Sequence, residues 1–364
     1  MKMKKLIFVE GIFPINTRSE RLINTLAKKF EVKIIAWDRK SIYSESMNNY
    51  YVYSSNEGYG KKIKKLLGMI KYFIFIKKIL LKEKFNTIVV SQWDMLLLVY
   101  FLKKKDIKLI YDNIDMPSSN SKIITYMLKK IERVCLRKVD MMIYASRFFK
   151  ENYNFFKRKT YILENLPMLI NYKNIPKKLE NDYINIGFVG TVRYFDILKN
   201  LLNLTRWNKC IKVSIWGDGP DLNKVKKYIE DNKLTNIFLY GKYNYRNIEK
   251  IYTTLDFIWA AYPNKDENVK YAISNKFFES LLYMTPGIFS ENTKLGELVE
   301  KNQIGITIDP YQSFESVFTN MCIVDFKYRK IKYLDNILKY KIRTSLFWED
   351  KEMCILEILD KLEI

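Results

Sequence analysis

Short apolar runs alternate with longer amphipathic segments along almost the whole chain. In the first half the runs are Leu6–Val9, Val32–Ala36, Thr87–Val90, Leu109–Tyr111 and Met141–Tyr144. In the second half they are Ile184–Val189, Lys212–Trp216, Asn236–Tyr240, Phe257–Ala261, Gly287–Phe289 and Ile304–Ile308. Apolar strands separated by helical segments predict a parallel sheet, so the expected class is α/β. The first helix carries a capping box, Thr17-Arg18-Ser19-Glu20, followed by apolar Leu22, Ile23 and Leu26. A polar, proline-bearing stretch from Leu166 to Asp182 interrupts the rhythm and is the expected interdomain linker. The pattern therefore predicts two α/β halves facing across a cleft, residues 1–168 and 169–344, with a last helical segment at 345–364.

Bulk composition agrees with this division. A chain of 364 residues, 48% apolar and 15% aromatic, is long enough for two cores. The formal net charge of +23 suits an anionic partner, whether nucleic acid, acidic lipid or a phosphorylated substrate. It also follows from a Lys-, Ile- and Asn-rich composition with no functional meaning. Cys135, Cys210, Cys322 and Cys354 show no metal or redox spacing and fit packing roles in a reducing compartment. The chain has no histidine, which excludes a Ser-His-Asp triad, a histidine base and histidine metal sites. Glu10 breaks the first apolar run and no cleavage site follows, so the start reads as a strand and not as a signal peptide. The longest apolar stretch, Met95 to Leu102, falls well short of the roughly 18 residues of a transmembrane helix.

Candidate chemistry concentrates in the second half. In the run from Asn275 to Ile288, Lys276 and Glu279 open a helix that stops before Pro286-Gly287. A helix N-terminus attracts phosphate, a cation beside it reinforces this, and a carboxylate accepts sugar hydroxyls. An ordinary amphipathic helix with a charged pair fits the same residues. Upstream, Gly187-Phe188-Val189-Gly190-Thr191-Val192-Arg193, Trp216-Gly217-Asp218-Gly219-Pro220 and Tyr240-Gly241-Lys242-Tyr243 end three successive strands. Glycines there let the backbone approach a ligand, and the carboxyl ends of parallel strands are where such sheets bind one. No G-x-G-x-x-G follows the first strand, so this is not the dinucleotide fingerprint.

These pieces, in this order, resemble the C-terminal domain of GT-B-fold glycosyltransferases, in particular the large group related to family 4. Gly296-Glu297-Leu298-Val299, Gly305 and the closing Ser345-Leu346-Phe347-Trp348 continue the resemblance. In the first half, Leu109 to Asp115 and Val139 to Ser146 resemble that family's strand-end landmarks. The resemblance implies two Rossmann-like domains, an N-terminal one for the acceptor and a C-terminal one for a nucleotide sugar, with the terminal helix packing back on the first. It implies transfer of a sugar from a nucleotide diphosphate sugar, with no cofactor and no metal. Glu279 matches the glutamate that holds the donor ribose. Gly190, Arg193, Gly217, Lys276 and Ser280 fall where the family meets the donor, and the main chain around Lys242 and Tyr243 where it reads the base. Position 271 is Tyr where the family usually has a second glutamate, with Asp266 and Glu267 nearby, and Ile114 stands near its frequent histidine. Asp115, Asp112 and Asp94 are the carboxylates able to serve as a base if the reaction inverts.

One further stretch stands apart. From Lys61 to Phe85, Lys64, Lys71 and Lys78 recur at heptad steps between Leu66, Leu67, Ile70, Phe73, Ile74 and Ile76. Such a helix suits an anionic membrane surface, or equally a buried amphipathic helix with solvated lysines. Lys129, Lys130, Arg133, Arg137 and Lys138 form a second basic cluster that favours the membrane. The expectation is thus a cytoplasmic glycosyltransferase on the inner face of the membrane, using a glycan or polyprenyl-phosphate-linked acceptor in bacterial surface polysaccharide synthesis. The alternatives are a sugar-nucleotide epimerase of the same fold, disfavoured by the lack of histidine, and a nucleic-acid-binding protein. No reader motif or stacking platform supports the latter, and nucleic acid is not expected as a partner.

Overall fold

The computed structural model describes residues 4–39, 41, 49–55, 62–119, 121–169, 182–312 and 323–361. The chain divides into two compact units, Met1–Glu164 with Lys351–Ile364, and Asn165–Asp350.

The first unit is built on a seven-stranded sheet in the order β3-β2-β1-β4-β5-β6-β7. Its strands are β1 (Lys5–Val9), β2 (Glu31–Asp38), β3 (Tyr50–Ser54), β4 (Thr87–Ser91), β5 (Lys108–Asn113), β6 (Met141–Tyr144) and β7 (Lys159–Ile162). Every pairing is parallel; Val9 sits between Ile35 of β2 and Val90 of β4. The helices are α1 (Thr17–Ala27), α2 (Lys62–Lys82), α3 (Trp93–Tyr100) and α4 (Lys122–Cys135). The apolar run Leu6–Val9 is buried because it lies at the centre of a sheet covered on both faces. The edge strands β3 and β7 were not expected. They are half-exposed and tyrosine- or lysine-bearing, and so lack the continuous apolar run that marks the central strands.

The start of α1 corrects the expected capping box. The N-cap is Asn16, not Thr17: its backbone is extended and its side chain accepts from the Ser19 N–H at 2.9 Å. The last helix of the chain, Glu349–Asp360, meets α1 through Thr25 Oγ1, which donates to Glu352 Oε1 at 2.7 Å, and through a Lys28–Glu352 ion pair.

The second unit holds a six-stranded parallel sheet in the order β10-β9-β8-β11-β12-β13. Its strands are β8 (Ile184–Val189), β9 (Ile211–Trp216), β10 (Ile237–Gly241), β11 (Phe257–Ala260), β12 (Gly287–Ser290) and β13 (Gly305–Ile308). The helices are α5 (Phe195–Trp207), α6 (Leu222–Asp231), α7 (Ile248–Thr253), α8 (Glu267–Tyr271), α9 (Asn275–Leu282), α10 (Lys294–Asn302) and α11 (Ile323–Lys341). α12 (Glu349–Asp360) closes the chain. In each sheet the strand order reverses beside the first strand, between β1 and β4 and between β8 and β11. Such a switch point leaves a crevice at the carboxyl edge.

The first unit buries two carboxyls that no cation pairs among the described residues. Glu10 accepts from the Gly11 N–H at 2.8 Å, Asn16 Nδ2 at 3.0 Å and Ser19 Oγ. Glu132 accepts from the hydroxyls of Tyr111 and Tyr153, both at 2.8–3.0 Å. Burial pushes each up to about 7 from the ordinary 4.5, against the opposing pull of these hydrogen bonds. The folded chain therefore holds both protons more tightly than the unfolded chain. The stabilisation is full below pH 4.5 and is lost as pH rises through about 7. At 1.36 kcal/mol per pH unit, the loss is roughly 3 kcal/mol for each group. Urea denaturation of Glu132→Gln between about pH 5 and about pH 8 should show roughly half the decline of the native chain, Glu10 carrying the other half. Equal declines would contradict this.

Candidate functional site

The switch point of the second sheet is occupied by a buried cation. β8 runs into Gly190, β11 into Ala261 and Tyr262, and α9 begins close by. Lys276, in the first turn of α9, is only 9% exposed. Its Nζ donates to Tyr262 Oη at 2.7 Å and lies 5.2 Å from the centre of the Phe188 ring. Among the described residues no carboxylate pairs with it. A buried charge without a partner costs several kcal/mol, and an anion at this edge would offset that cost.

Gly190 provides the space. Its φ is +133°, and a Cβ there would stand 3.1 Å from Lys276 Nζ. Its N–H donates to the Trp216 carbonyl at 2.8 Å, and that of Gly217 donates to the Gly241 carbonyl at 2.7 Å, so the three strand ends are stitched side by side. Gly217 permits the approach: at φ +139°, a Cβ would fall 1.8 Å from the Gly190 oxygen.

The start of α9 adds to the electropositive edge. Ser274 is the N-cap in extended conformation, but its Oγ makes no capping bond and is buried with no partner among the described residues. The first N–H groups of the helix are therefore not capped by a side chain, and the positive end of the dipole is open to a ligand. Arg193 joins the same edge through aromatic contacts. Its guanidinium lies 4.9 Å from the centre of the Tyr194 ring, and that ring meets Tyr262 edge-on at 6.2 Å. The Arg193 side chain is exposed and can swing to a ligand.

One turn along α9, Glu279 is buried and held by two tyrosines. Tyr245 Oη donates to Oε1 and Tyr252 Oη to Oε2, each at 2.8 Å. This differs from an exposed helix-end charge. A carboxylate has about four acceptor positions, so two remain for ligand hydroxyls. Burial, then the Glu279 charge, raises the Tyr252 hydroxyl well above its ordinary range and raises that of Tyr243 as well. Tyr252 and Tyr243 therefore stay protonated at neutral pH.

The remaining expected residues divide. Lys242 is highly exposed and sits 3.5 Å from Asp218, beside Gly217. Ser280 turns its hydroxyl onto the Phe277 carbonyl at 2.7 Å inside its own helix, so that donor is already used. Asp266 caps α8, accepting from the Asn268 N–H at 2.7 Å, and Glu267 pairs with Lys270 at 2.8 Å. Tyr271 ends α8 half-buried.

In the first unit, Asp112 must be corrected as a candidate base. It is fully buried, and its two oxygens accept from Arg18 Nε at 3.0 Å and Nη2 at 2.7 Å. Protonating it would strand a buried guanidinium. Asp94 is half-buried and accepts from the Met95 N–H at 3.1 Å, and Asp115 is exposed in the loop after β5. Tyr262, Tyr245 and Ser274 were not singled out from the sequence. Tyr262 carried a signal, since it stands just past the end of a predicted strand; the other two are visible only once the turn before α7 and the start of α9 are packed.

No family model and no curated protein sequence matches the chain. Solved structures do. Sucrose-phosphate synthase from Thermosynechococcus elongatus aligns over 99% of both chains, with TM-score 0.76 and 11% identity. HepE from Anabaena, in complex with UDP and glucose, aligns over 98% of this chain and 99% of its own, with TM-score 0.69 and 14% identity. The lipopolysaccharide outer core galactosyltransferase WaaB aligns over 96% and 99%, with TM-score 0.61 and 13% identity. These neighbours are GT-B glycosyltransferases, and the chain shares their fold over its whole length.

Proposed function

We propose that the protein is a glycosyltransferase that takes its sugar from a nucleoside diphosphate donor bound at the carboxyl edge of the second sheet. The observation that carries this reading is Lys276, a buried cation with no carboxylate partner among the described residues, set between Gly190 and the uncapped start of α9. The neighbours supply independent support, since HepE is described in complex with UDP and with UDP-glucose. When the bond from sugar to diphosphate breaks, negative charge collects on the departing phosphate. Lys276, Arg193 and the α9 N–H groups are placed to stabilise it, which is the electrostatic contribution that acceleration requires. On this reading the leaving diphosphate needs no metal ion. Glu279 accepts hydroxyl hydrogen bonds from the donor ribose at the positions its two tyrosines leave open. Gly217, Lys242 and Tyr243 border the base.

We place the acceptor, a glycan or a polyprenyl-phosphate-linked sugar of a surface polysaccharide, on an anionic membrane. Two helices of the first unit support this. α4 exposes Ile123, Tyr126, Met127 and Val134, flanked by Lys130 and Arg133. α2 exposes Leu67, Ile70, Ile74 and Leu81 beside Lys71 and Lys78; Lys61 and the side chains of Lys64 and Leu66 lie outside the described residues. Apolar stripes edged by cations match an acidic lipid surface. No described helix is long and apolar enough to cross a membrane.

Two measurements test these assignments. The first is calorimetric titration with a nucleoside diphosphate, in EDTA throughout. Glu279→Gln should bind at least tenfold more weakly, because a hydrogen bond to a charged group contributes about 1.5–3 kcal/mol. Its affinity for inorganic pyrophosphate should be unchanged. Tyr252→Phe, which removes one of the two protein donors and leaves the carboxylate, should lower thermal stability and leave nucleotide affinity in place. Unaltered nucleotide binding by Glu279→Gln would remove it from the ribose site. The second is vesicle sedimentation. Replacing Lys71, Lys78, Lys130 and Arg133 by Glu should weaken binding to phosphatidylglycerol vesicles at least a hundredfold, at about 1 kcal/mol per cation. Retained binding would return α2 and α4 to a solvent-facing role.

A further inference from the structure

α11, in the second unit, packs fully along one side. Phe326, Lys330, Tyr333, Ile337 and Tyr340 recur at steps of three and four residues and form that inner face. Phe326 and Ile337 are buried. Phe326 meets the Phe257 ring edge-on at 6.0 Å, and Tyr340 meets Phe277 of α9 edge-on at 6.3 Å. Lys330 pairs with Asp256, and Asn336 Nδ2 donates to the Gln303 carbonyl at 3.0 Å.

The outer face is apolar as well. Val324, Tyr328, Ile331 and Leu338 follow one another at steps of four, three and seven residues, and Ile342 stands four further on, just past the last turn. Val324 is 70% exposed, Tyr328 71%, Ile331 61%, Leu338 46% and Ile342 87%. At 3.6 residues per turn they fall on one stripe, about 27 Å long at 1.5 Å per residue. A helix at a protein surface ordinarily turns apolar residues to its own core and polar ones to water. Single exposed apolar residues are common, but a contiguous line of this length marks a contact surface.

The charges beside the stripe select what covers it. Lys327 edges one side, Lys332 and Lys339 edge the other, and Arg343 stands just beyond the end, all exposed. Asp335 is the one acid within the stripe, and Asp325 stands near its start. Two copies of this helix laid together would set the lysine rows against each other and bury Asp335 in the seam. An acidic lipid surface takes the apolar side chains below its headgroups and answers the lysines with phosphates. A tyrosine suits the same depth, with its ring in the apolar layer and its hydroxyl in the wet one.

We propose that α11 is a lipid-contacting helix, through which the second unit itself binds an anionic membrane surface. The proposal rests on the membrane reading above for its setting and on separate residues for the contact, since α2 and α4 belong to the first unit. Lipid contact on α11 bears directly on the helix that carries Lys276 and Glu279. Besides the Tyr340–Phe277 contact, Lys341 Nζ donates to the Leu282 carbonyl at the end of α9, at 3.4 Å.

The test is sedimentation of the full chain with phosphatidylglycerol vesicles and with phosphatidylcholine vesicles. Ile331→Gln combined with Leu338→Gln removes two exposed side chains, keeps good helix formers and should leave the melting temperature in place. Its binding to phosphatidylglycerol should fall roughly tenfold or more. Asp335→Asn should act in the opposite sense and strengthen phosphatidylglycerol binding roughly threefold or more, with phosphatidylcholine binding unchanged. Tyr328→Trp should show quenching by brominated phosphatidylglycerol beyond that of the native chain's own tryptophans. Unchanged phosphatidylglycerol binding in the double variant, or no added quenching in Tyr328→Trp, would overturn the proposal. A native dimer that the double variant converts to monomers with no loss of lipid binding would assign the stripe to a second copy and overturn it equally. The Glu variant of Lys71, Lys78, Lys130 and Arg133 separates the two readings. If it loses vesicle binding and the α11 double variant does not, the first-unit reading stands and this one falls. If the α11 variant loses binding and the other does not, this one stands and the first-unit assignment falls. A native chain that binds neither vesicle overturns both.

Discussion

A parallel sheet whose strand order reverses cannot close its carboxyl edge. The two loops that leave the strands at the reversal run to opposite faces, and a crevice remains between them. In the second unit this crevice lies between β8 and β11, and Lys276 is held inside it by Tyr262 and Phe188. The other features of the site follow from that placement. Gly190 must lack a side chain because the lysine ammonium fills the space. Gly217 must lack one because the Gly190 carbonyl does. α9 begins at the same edge, with Lys276 in its first turn and no side-chain cap on its N-terminus.

Buried charge in this protein is sorted by what satisfies it. Arg18 and Asp112 neutralise each other in a bidentate pair, so they contribute to the packing of the first unit and not to chemistry. Glu10, Glu132 and Glu279 are each held by hydroxyl or amide donors with no ion pair among the described residues; Glu279 lies one helical turn from Lys276. Lys276 stands apart: a cation with aromatic contacts and no carboxylate partner among the described residues, at the switch point of its sheet. The tyrosines matter throughout, because a hydroxyl can hold a charged group in position without cancelling it.

Much of the architecture was legible in the sequence. The central strands announced themselves by unbroken apolar runs, and the glycines read as strand ends do stand at the ends of β8, β9 and β10. The helix read from Lys276 and Glu279 is α9. Other features depend on contacts that no local pattern encodes. β3 and β7 have one strand neighbour each and need no continuous apolar run. The hydroxyls of Tyr245 and Tyr252 reach Glu279 from sequence separations of 34 and 27 residues. Arg18 lies 94 residues from Asp112, so a carboxylate that reads as a candidate base is, in three dimensions, half of a buried pair.

The central claim is that the isolated charge of Lys276 exists to meet a diphosphate, and one comparison addresses it directly. Calorimetric titration of the native chain and of Lys276→Gln with a nucleoside diphosphate, and with the corresponding nucleoside, separates the phosphate contribution from that of the base and ribose. Loss of a charge-assisted contact of at least 1.4 kcal/mol corresponds to a tenfold or greater fall in affinity. The account predicts that fall for the diphosphate and an unchanged, weak affinity for the nucleoside. Equal diphosphate affinities in the two proteins would contradict it.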